Sequence, residues 1–418
     1  MNQAQTGGLW QAMKGYPLRV FSLCLTGWFL TNMDQSFFGY AVPSIMEEYR
    51  VGLPVIGQIL SMAFVFAAVM VVFIGILADR FGRRVMFVAC LGSSALLAGL
   101  MGLVESLTLL ALLRCLSFAL SSGLVPIANS MVVEATPDRY RGVVGGLLQV
   151  GYPMGWFVAS LLATPLIAHF GWRYMFLPAL AVVPIAFLLG WLLPESRRFI
   201  AERAETRATT PIRDLFRPAL RTRTAFGWLS FFLFGGAYAG TAFYFPTFFQ
   251  QVRGYSPEDA TLVVGISYGI GLVGYLGASL VGEYLTTRRN TVIIWTLTGS
   301  LAVLGVIWNQ QGFMANLAWF GVTAMFFYGT AAVLTTYVTE IFPTAIRATA
   351  VAVVAGVGLN LGFAIYPLLV AFLVESWGWE LAFSAAIVPS LAGISLVMLA
   401  LPNLRSGTAL DSDSSGGT

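Results

Sequence analysis

The feature that most constrains this chain is a succession of apolar stretches, each about 20 residues or longer, separated by short charged or Gly/Pro-bearing turns. At 1.5 Å of rise per residue, about 20 helical residues cross a hydrocarbon core roughly 30 Å thick. Inside that core each backbone polar group must be paired within the protein, which leaves only helices and closed barrels. The stretches are much longer than the roughly ten-residue strands of a barrel and lack their alternation. The chain therefore reads as an all-α integral membrane protein. Twelve spans are predicted, at 19–45, 55–78, 85–104, 107–133, 141–168, 173–193, 224–250, 260–283, 291–308, 314–338, 347–374 and 380–401. Composition agrees: 58% of the residues are hydrophobic and 10% charged, against about 25% charged in soluble domains.

An even number of spans puts both termini on one side, and the distribution of basic residues says which. Lys14, Arg19, Arg80, Arg83, Arg84, Arg139, Arg141, Arg288, Arg289, Arg347, Arg405 and the arginines between spans 6 and 7 share the side of the termini. Only Arg50, Arg173 and Arg253 fall opposite, so both ends are expected to be cytoplasmic. The expected organisation is a cytoplasmic segment (1–18), a six-helix bundle (19–196), a cytoplasmic linker (197–223), a second bundle (224–402) and a disordered tail (403–418). The N-terminus has no signal-peptide pattern, so the first span is expected to persist. A near-total use of Arg over Lys and the lack of any N-x-[ST] site fit a bacterial inner membrane.

The halves repeat each other in parallel. EATPDRYR (134–141) returns as EIFPTAIR (340–347), GWR at Gly171 as GWE at Gly378, and Gly151/Gly155 as Gly358/Gly362. Pro43, Arg50 and Pro54 match Pro246, Arg253 and Pro257, and LPESR is echoed by LPNLR. Two six-helix units in parallel repeat form a design whose substrate site is expected near the midplane, between halves.

Other chemistries find little support. Cys24, Cys90 and Cys115 stand singly in apolar runs, which suits packing and implies neither a disulfide nor a metal site. One histidine, His169, at an outer span end, leaves an enzyme no catalytic constellation. The net charge of +4 follows from topology, and no nucleic-acid affinity is inferred from it.

Two charges lie deep within spans. Asp34 interrupts FLTNMDQSFFGYAV in span 1, where a carboxylate costs roughly 2.5–3.5 kcal/mol on insertion scales; Arg114 lies in span 4. Counting about 1.5 Å per residue from opposite faces puts both in the outer half at nearly equal depth, so they are expected to pair. These two are the candidate proton-coupling residues. Arg114 begins a polar stripe with Ser117, Ser121 and Asn129, and Gln35 adjoins Asp34. Gln149 and Tyr152 share a face of span 5, above Gly142, Gly145 and Gly146. Tyr238, Tyr268, Tyr328, Asn360 and Tyr366 complete the candidate substrate-binding set, whereas Tyr244 and Tyr255, near span ends, read as interfacial.

After span 2 stands GILADRFGRR (75–84), with a degraded copy, GEYLTTRR (282–289), in the second half. Here the sequence resembles the major facilitator superfamily, over essentially residues 15–402. The resemblance implies twelve helices in two six-helix bundles and a latch on the cytoplasmic side. Gly75 would allow close approach, and Gly82 a tight turn. Asp79 would sit at a helix N-terminus, and Arg83 would reach Glu134, with Arg80 and Arg141 beside them. Glu340 and Arg347 would form the second-half counterpart.

Within the superfamily the chain resembles aromatic-acid and organic-anion proton symporters. Their first span carries a D-G-x-D element, then an aromatic-Gly run and a Pro nine residues after the second Asp; Asp34, Gly39 and Pro43 occupy those later places, with Thr31 where the first Asp belongs, and Arg114 and Pro126 match span 4. GLLQVGYPMGW and GVGLNLG are similar instead to segments of sialate and lactate symporters. The resemblance implies uptake of a small organic anion with protons by alternating access, by a monomer in the lipid bilayer. The proton gradient would drive it, with no cofactor. The main rival is a proton-coupled exporter, whose G-x-x-x-G-P-x-x-G-G element span 5 does not reproduce; a non-transporting sensor is a third reading.

Overall fold

The computed structural model describes residues 9–137, 140–195, 212–309, 312–343 and 346–403, with backbone alone at Gly142, Ile212, Thr339, Arg347 and Ala348. The expected tail beyond residue 403, most of the expected linker, and Arg139 lie outside the described residues. Among those described, ten helices are long and apolar enough to cross a membrane. In chain order they are Leu53–Phe81 (span 2), Arg83–Leu103 (span 3), Leu107–Ala135 (span 4), Val143–Phe170 (span 5) and Trp172–Leu192 (span 6). Pro257–Leu285 (span 8), Arg288–Trp308 (span 9), Phe313–Val338 (span 10), Val351–Trp377 (span 11) and Trp379–Leu399 (span 12) follow.

The other two spans are the more polar ones, and they occupy matching places in the repeat. Span 1, Tyr16–Tyr49, is a single helix of 34 residues carrying the polar run Thr31–Ser36. Span 7 is the pair Arg221–Ala242 and Phe245–Arg253, bent by 48° at the break. Both are buried on all faces in their middle: residues 30–43 of span 1 and 234–249 of span 7. A helix buried all round cannot show a one-sided apolar stripe, so polar side chains there face protein rather than lipid.

Twelve transmembrane helices thus form two six-helix bundles. By contact, among the described residues, one compact unit lies within 9–50, 62–195 and 256–265, and the other within 51–61, 212–255 and 266–403. Within each, the repeat is visible as packing. Span 1 packs chiefly on span 5 and span 3 on span 6; likewise span 7 packs on span 11 and span 9 on span 12. Gly155 and Gly362 make the first contact of each set possible. A Cβ at Gly155 would lie 2.7 Å from Asn32 Cβ and 2.8 Å from Met33 N, and one at Gly362 2.3 Å from Phe232 O. Only glycine lets the helix backbones meet this closely.

The repeat also governs turns and breaks. Spans 5 and 11 both end at glycines with positive φ, Gly171 at 92° and Gly378 at 80°, which start the GW turns. Span 4 breaks at Gly123, and span 10 passes through a π-helical turn, Ala324–Tyr328, ahead of the equivalent Gly329. Span 5 is interrupted after Leu148, and span 11 carries the π segment Val351–Val357. Such interruptions free backbone groups and concentrate at functional positions. One expectation fails: Tyr244 is fully buried and donates to Pro367 O at 2.9 Å. The break within span 7 turns it inward, away from the membrane interface.

Candidate functional site

In the first bundle, spans 1, 3 and 4 build one connected polar cluster. Arg114 is completely buried, and its Nη1 donates to Gln35 Oε1 at 2.6 Å and Gln35 O at 3.2 Å. Gln35 Nε2 donates to Ser117 Oγ at 3.0 Å, and Ser117 passes the chain on to Ser94 O at 2.9 Å. Both ends of the Gln35 amide are thereby assigned, oxygen to the cation and nitrogen to the hydroxyl. The guanidinium also lies over Phe38 (4.6 Å) and Phe118 (5.0 Å), within cation–π range. Gln35 and Phe38 are three residues apart on one face of span 1, and Arg114, Ser117 and Phe118 follow the same spacing on span 4.

The expected Asp34–Arg114 pair is not made. Both Asp34 oxygens are buried and accept no hydrogen bond among the described residues, although Arg114 reaches the carbonyl of the very next residue. The depth match holds, but one helical step turns Asp34 about 100° from Gln35, and Gln35 takes the cation. Two turns of the same helix face carry further buried polar atoms that make no hydrogen bond among the described residues, Thr31 Oγ1 and Trp28 Nε1. Tyr152 lies between Trp28 and Trp156, with ring centroids 6.3 and 6.5 Å away.

The second bundle answers with aromatic hydroxyls. Tyr268 and Tyr328 stack at 4.9 Å and 15°, Tyr238 meets Tyr328 edge-on at 5.0 Å, and the Tyr238 and Tyr268 hydroxyls are 2.9 Å apart. The three side chains come from spans 7, 8 and 10, and all are buried. Other expected residues stand apart from both clusters. Ser121 bonds back to Phe118 O and Asn360 to Gly356 O, each on its own helix. Tyr366 meets Ser390 Oγ at 3.3 Å, Asn129 faces Gly145, and Gln149 is half-buried.

At the basic ends, the expected Arg83–Glu134 ion pair forms, and Arg141 Nε donates to Val133 O (2.9 Å) and Thr136 O (3.2 Å), covering the end of span 4. Gly82 makes the turn with φ of 102°. Three expectations shift. Asp79 is exposed and forms no hydrogen bond or ion pair among the described residues. The N-terminus of span 3 is instead taken by Glu195, which accepts from Arg83 N at 3.1 Å and Arg84 N at 3.2 Å. A Cβ at Gly75 would meet nothing within 4 Å, so no close approach depends on it, and Arg80 is exposed beside the Phe81 ring. In the second bundle Glu340 pairs with Arg288, which also pairs with Glu283. The Arg347 side chain lies outside the described residues.

Residues 24–336 match the Major Facilitator Superfamily. The chain belongs to that superfamily. This member of the Major Facilitator Superfamily is 30% identical to the cis,cis-muconate transport protein of Acinetobacter baylyi, over 84% of this chain and 86% of that one. It is 28% identical to the gallate transporter of Pseudomonas putida, over 82% of each. A bacterial homologue of the human lysosomal transporter Spinster shares the fold, with a TM-score of 0.67 at 17% identity over 93% of this chain and 96% of that one. The superfamily member described here is accordingly a transporter and not an enzyme, and its relatives carry aromatic and other organic acids.

Glu195, Glu283, Ser94 and the two rings beside Arg114, Phe38 and Phe118, are participants that sequence reasoning missed. Glu195 sits in PESR, whose echo LPNLR has no acid at that place, so the repeat gave no hint of it. Glu283 was hidden by register: it stands one residue before the position matching Asp79, within the π turn Val281–Leu285. Ser94 acts through its backbone carbonyl, which carries no sequence signal at all.

Proposed function

We propose that this transporter takes up a small organic anion, an aromatic acid or a related unsaturated carboxylate, together with protons by alternating access. The observation that carries the reading is the buried cluster on span 1. Arg114 is fixed by Gln35 and two aromatic rings, and the unpartnered carboxyl of Asp34 stands one residue away. The planar fork of Arg suits bidentate binding of a carboxylate. An ionised Asp34, one residue from the Gln35 that holds Arg114, sets a negative charge against an incoming carboxylate, and a protonated Asp34 does not. A buried charge without a partner is expensive, which suits Asp34 to hold a proton while substrate is bound and release it when substrate leaves. The stacked tyrosines of the second bundle offer planar faces and hydroxyls for a conjugated body. The Arg83–Glu134 and Arg288–Glu340 pairs are read as gate elements.

The protein is read as a monomer in a bacterial inner membrane with both termini cytoplasmic, driven by the proton gradient without a cofactor. The test is uptake by proteoliposomes under an imposed pH gradient, against a panel of aromatic and aliphatic carboxylates. Accumulation of one class, inside-alkaline, supports the reading. Net outward movement would assign an exporter, and a pH-independent flux would remove the proton.

A further inference from the structure

We propose that the outer face between spans 3 and 6 holds one anionic phospholipid, its acyl chain in a hollow and its phosphate at Arg84 and Arg19. The hollow has a volume of about 740 Å³ and runs along span 3 from Arg84 to Leu96, facing Val183 to Trp191 on span 6. Twelve residues of helix cover ~18 Å, close to half of a roughly 30 Å core. That is the reach of one leaflet, which suits an acyl chain; a partner helix crossing the bilayer would need a seat about twice as long. The walls are membrane-facing, with Phe187 67% and Trp191 76% exposed.

The depth of the hollow comes from small side chains. With Arg83 matched to Arg288, the repeat sets Ala89 against Ile294 and Gly92 against Leu297. Ile294 and Leu297 are both exposed on the face of span 9, where they occupy the space that Ala89 and Gly92 leave open on span 3. A Cβ at Gly92 would find only Ala186 Cβ at 3.6 Å, an ordinary contact, so the packing of spans 3 and 6 does not itself demand a glycine there.

One end of the hollow is basic. Arg84 lines it, and Arg19 donates to Leu192 O at 2.6 Å, which brings a second guanidinium to the same end of span 6. Glu195 is nearby, but its carboxylate accepts from the Arg83 and Arg84 backbone N–H groups. Trp191 stands at this end, the level favoured by indole rings at the headgroup boundary. An apolar seat one leaflet long, ending in two arginines and a tryptophan, is complementary to an anionic lipid.

The experiment uses the full chain in nanodiscs of zwitterionic lipid, doped with phosphatidylglycerol or phosphatidylcholine bearing a photoactivatable acyl chain. Labelled peptides are then mapped by mass spectrometry. Several-fold preferential labelling of spans 3 and 6 by the phosphatidylglycerol probe is expected. Arg19→Gln with Arg84→Gln should remove the headgroup preference while labelling persists. Ala89→Ile with Gly92→Leu, which copies the second bundle, should remove labelling at this face by both probes. Unchanged labelling on spans 9 and 12 of the same molecules reports that each variant is folded. Equal labelling by the two probes, or even labelling around the whole perimeter, overturns the proposal. So does efficient disulfide cross-linking between copies of an Ala89→Cys variant, which would seat a second chain in the hollow.

Discussion

The two bundles share a scaffold and differ in what they bury. Helix pairing, the glycine contacts at Gly155 and Gly362, the GW turns and the Arg–Glu pairs at the basic ends all recur. The interiors do not. The first bundle buries an acid, an amide and a guanidinium, and the second buries three tyrosines in contact. Duplication preserved the positions where backbones meet, because a single misplaced Cβ would separate the helices. It left the central side chains to diverge, since many polar groups fit a buried position once they find partners. Charge handling is thus concentrated in one bundle and aromatic contact in the other.

The largest expected effect breaks this asymmetry at its source. Asp34→Asn keeps the shape of the side chain and removes its capacity to titrate. It is expected to abolish accumulation driven by a pH gradient while preserving exchange of labelled for unlabelled substrate across proteoliposomes. Undiminished uphill uptake by this variant would show that Asp34 does not carry the proton.

The shared scaffold can be tested next. Gly155→Ala and Gly362→Ala each place a methyl against backbone, and overpacking of this kind costs about 1–3 kcal/mol. The contact at Gly362 is the tighter, 2.3 Å against 2.7 Å, so its variant should melt lower in detergent. A reversed order would mean that the second bundle relaxes more easily than its geometry suggests.

Much of the scaffold was legible in the sequence, because span length is dictated by the bilayer itself. Asp34 and Arg114 stood out for the same reason, as charges in an apolar run. What escaped was azimuth. Depth along a helix follows from counting, but which of Asp34 and Gln35 meets Arg114 depends on how span 1 is rotated against span 4. That rotation depends on contacts with further helices, such as the close approach of Gly155 on span 5 to Asn32 and Met33. The exposed Asp79 and the capping Glu195 follow the same rule: the acid that wins a helix N-terminus is the one the fold carries there. The break in span 7 likewise turned Tyr244 inward, and no single residue announces it.

Gln35 separates positioning from binding within the charged cluster. Gln35→Leu removes the acceptor of a charge-assisted bond and leaves Arg114 its aromatic neighbours. A bond of this type contributes about 1.5–3 kcal/mol, so the apparent KM for substrate should rise roughly tenfold or more if substrate depends on the orientation of Arg114. Arg114→Lys keeps the charge and loses the fork, and it should weaken binding at least as much. If Gln35→Leu is silent while Arg114→Lys is not, the amide side chain is dispensable and the contacts that remain, the carbonyl of residue 35 and the aromatic rings among them, suffice to hold the cation.

The smallest expected effect lies in the second bundle and asks whether its hydroxyls or its ring faces matter. Tyr268→Phe deletes one partner of the Tyr238–Tyr268 bond and keeps the stack on Tyr328. A neutral hydrogen bond contributes about 0.5–1.5 kcal/mol, equivalent to a change of roughly two- to tenfold in KM. Tyr268→Leu also removes the planar face, and with it the additional ~0.5–1.5 kcal/mol of an aromatic pair. If the second bundle reads substrate through its faces, aromatic carboxylates should lose more affinity than aliphatic ones in the Leu variant, and both should behave alike in the Phe variant. The opposite ranking would place the selectivity in the hydroxyls and make the two bundles more alike in their chemistry than their residues suggest.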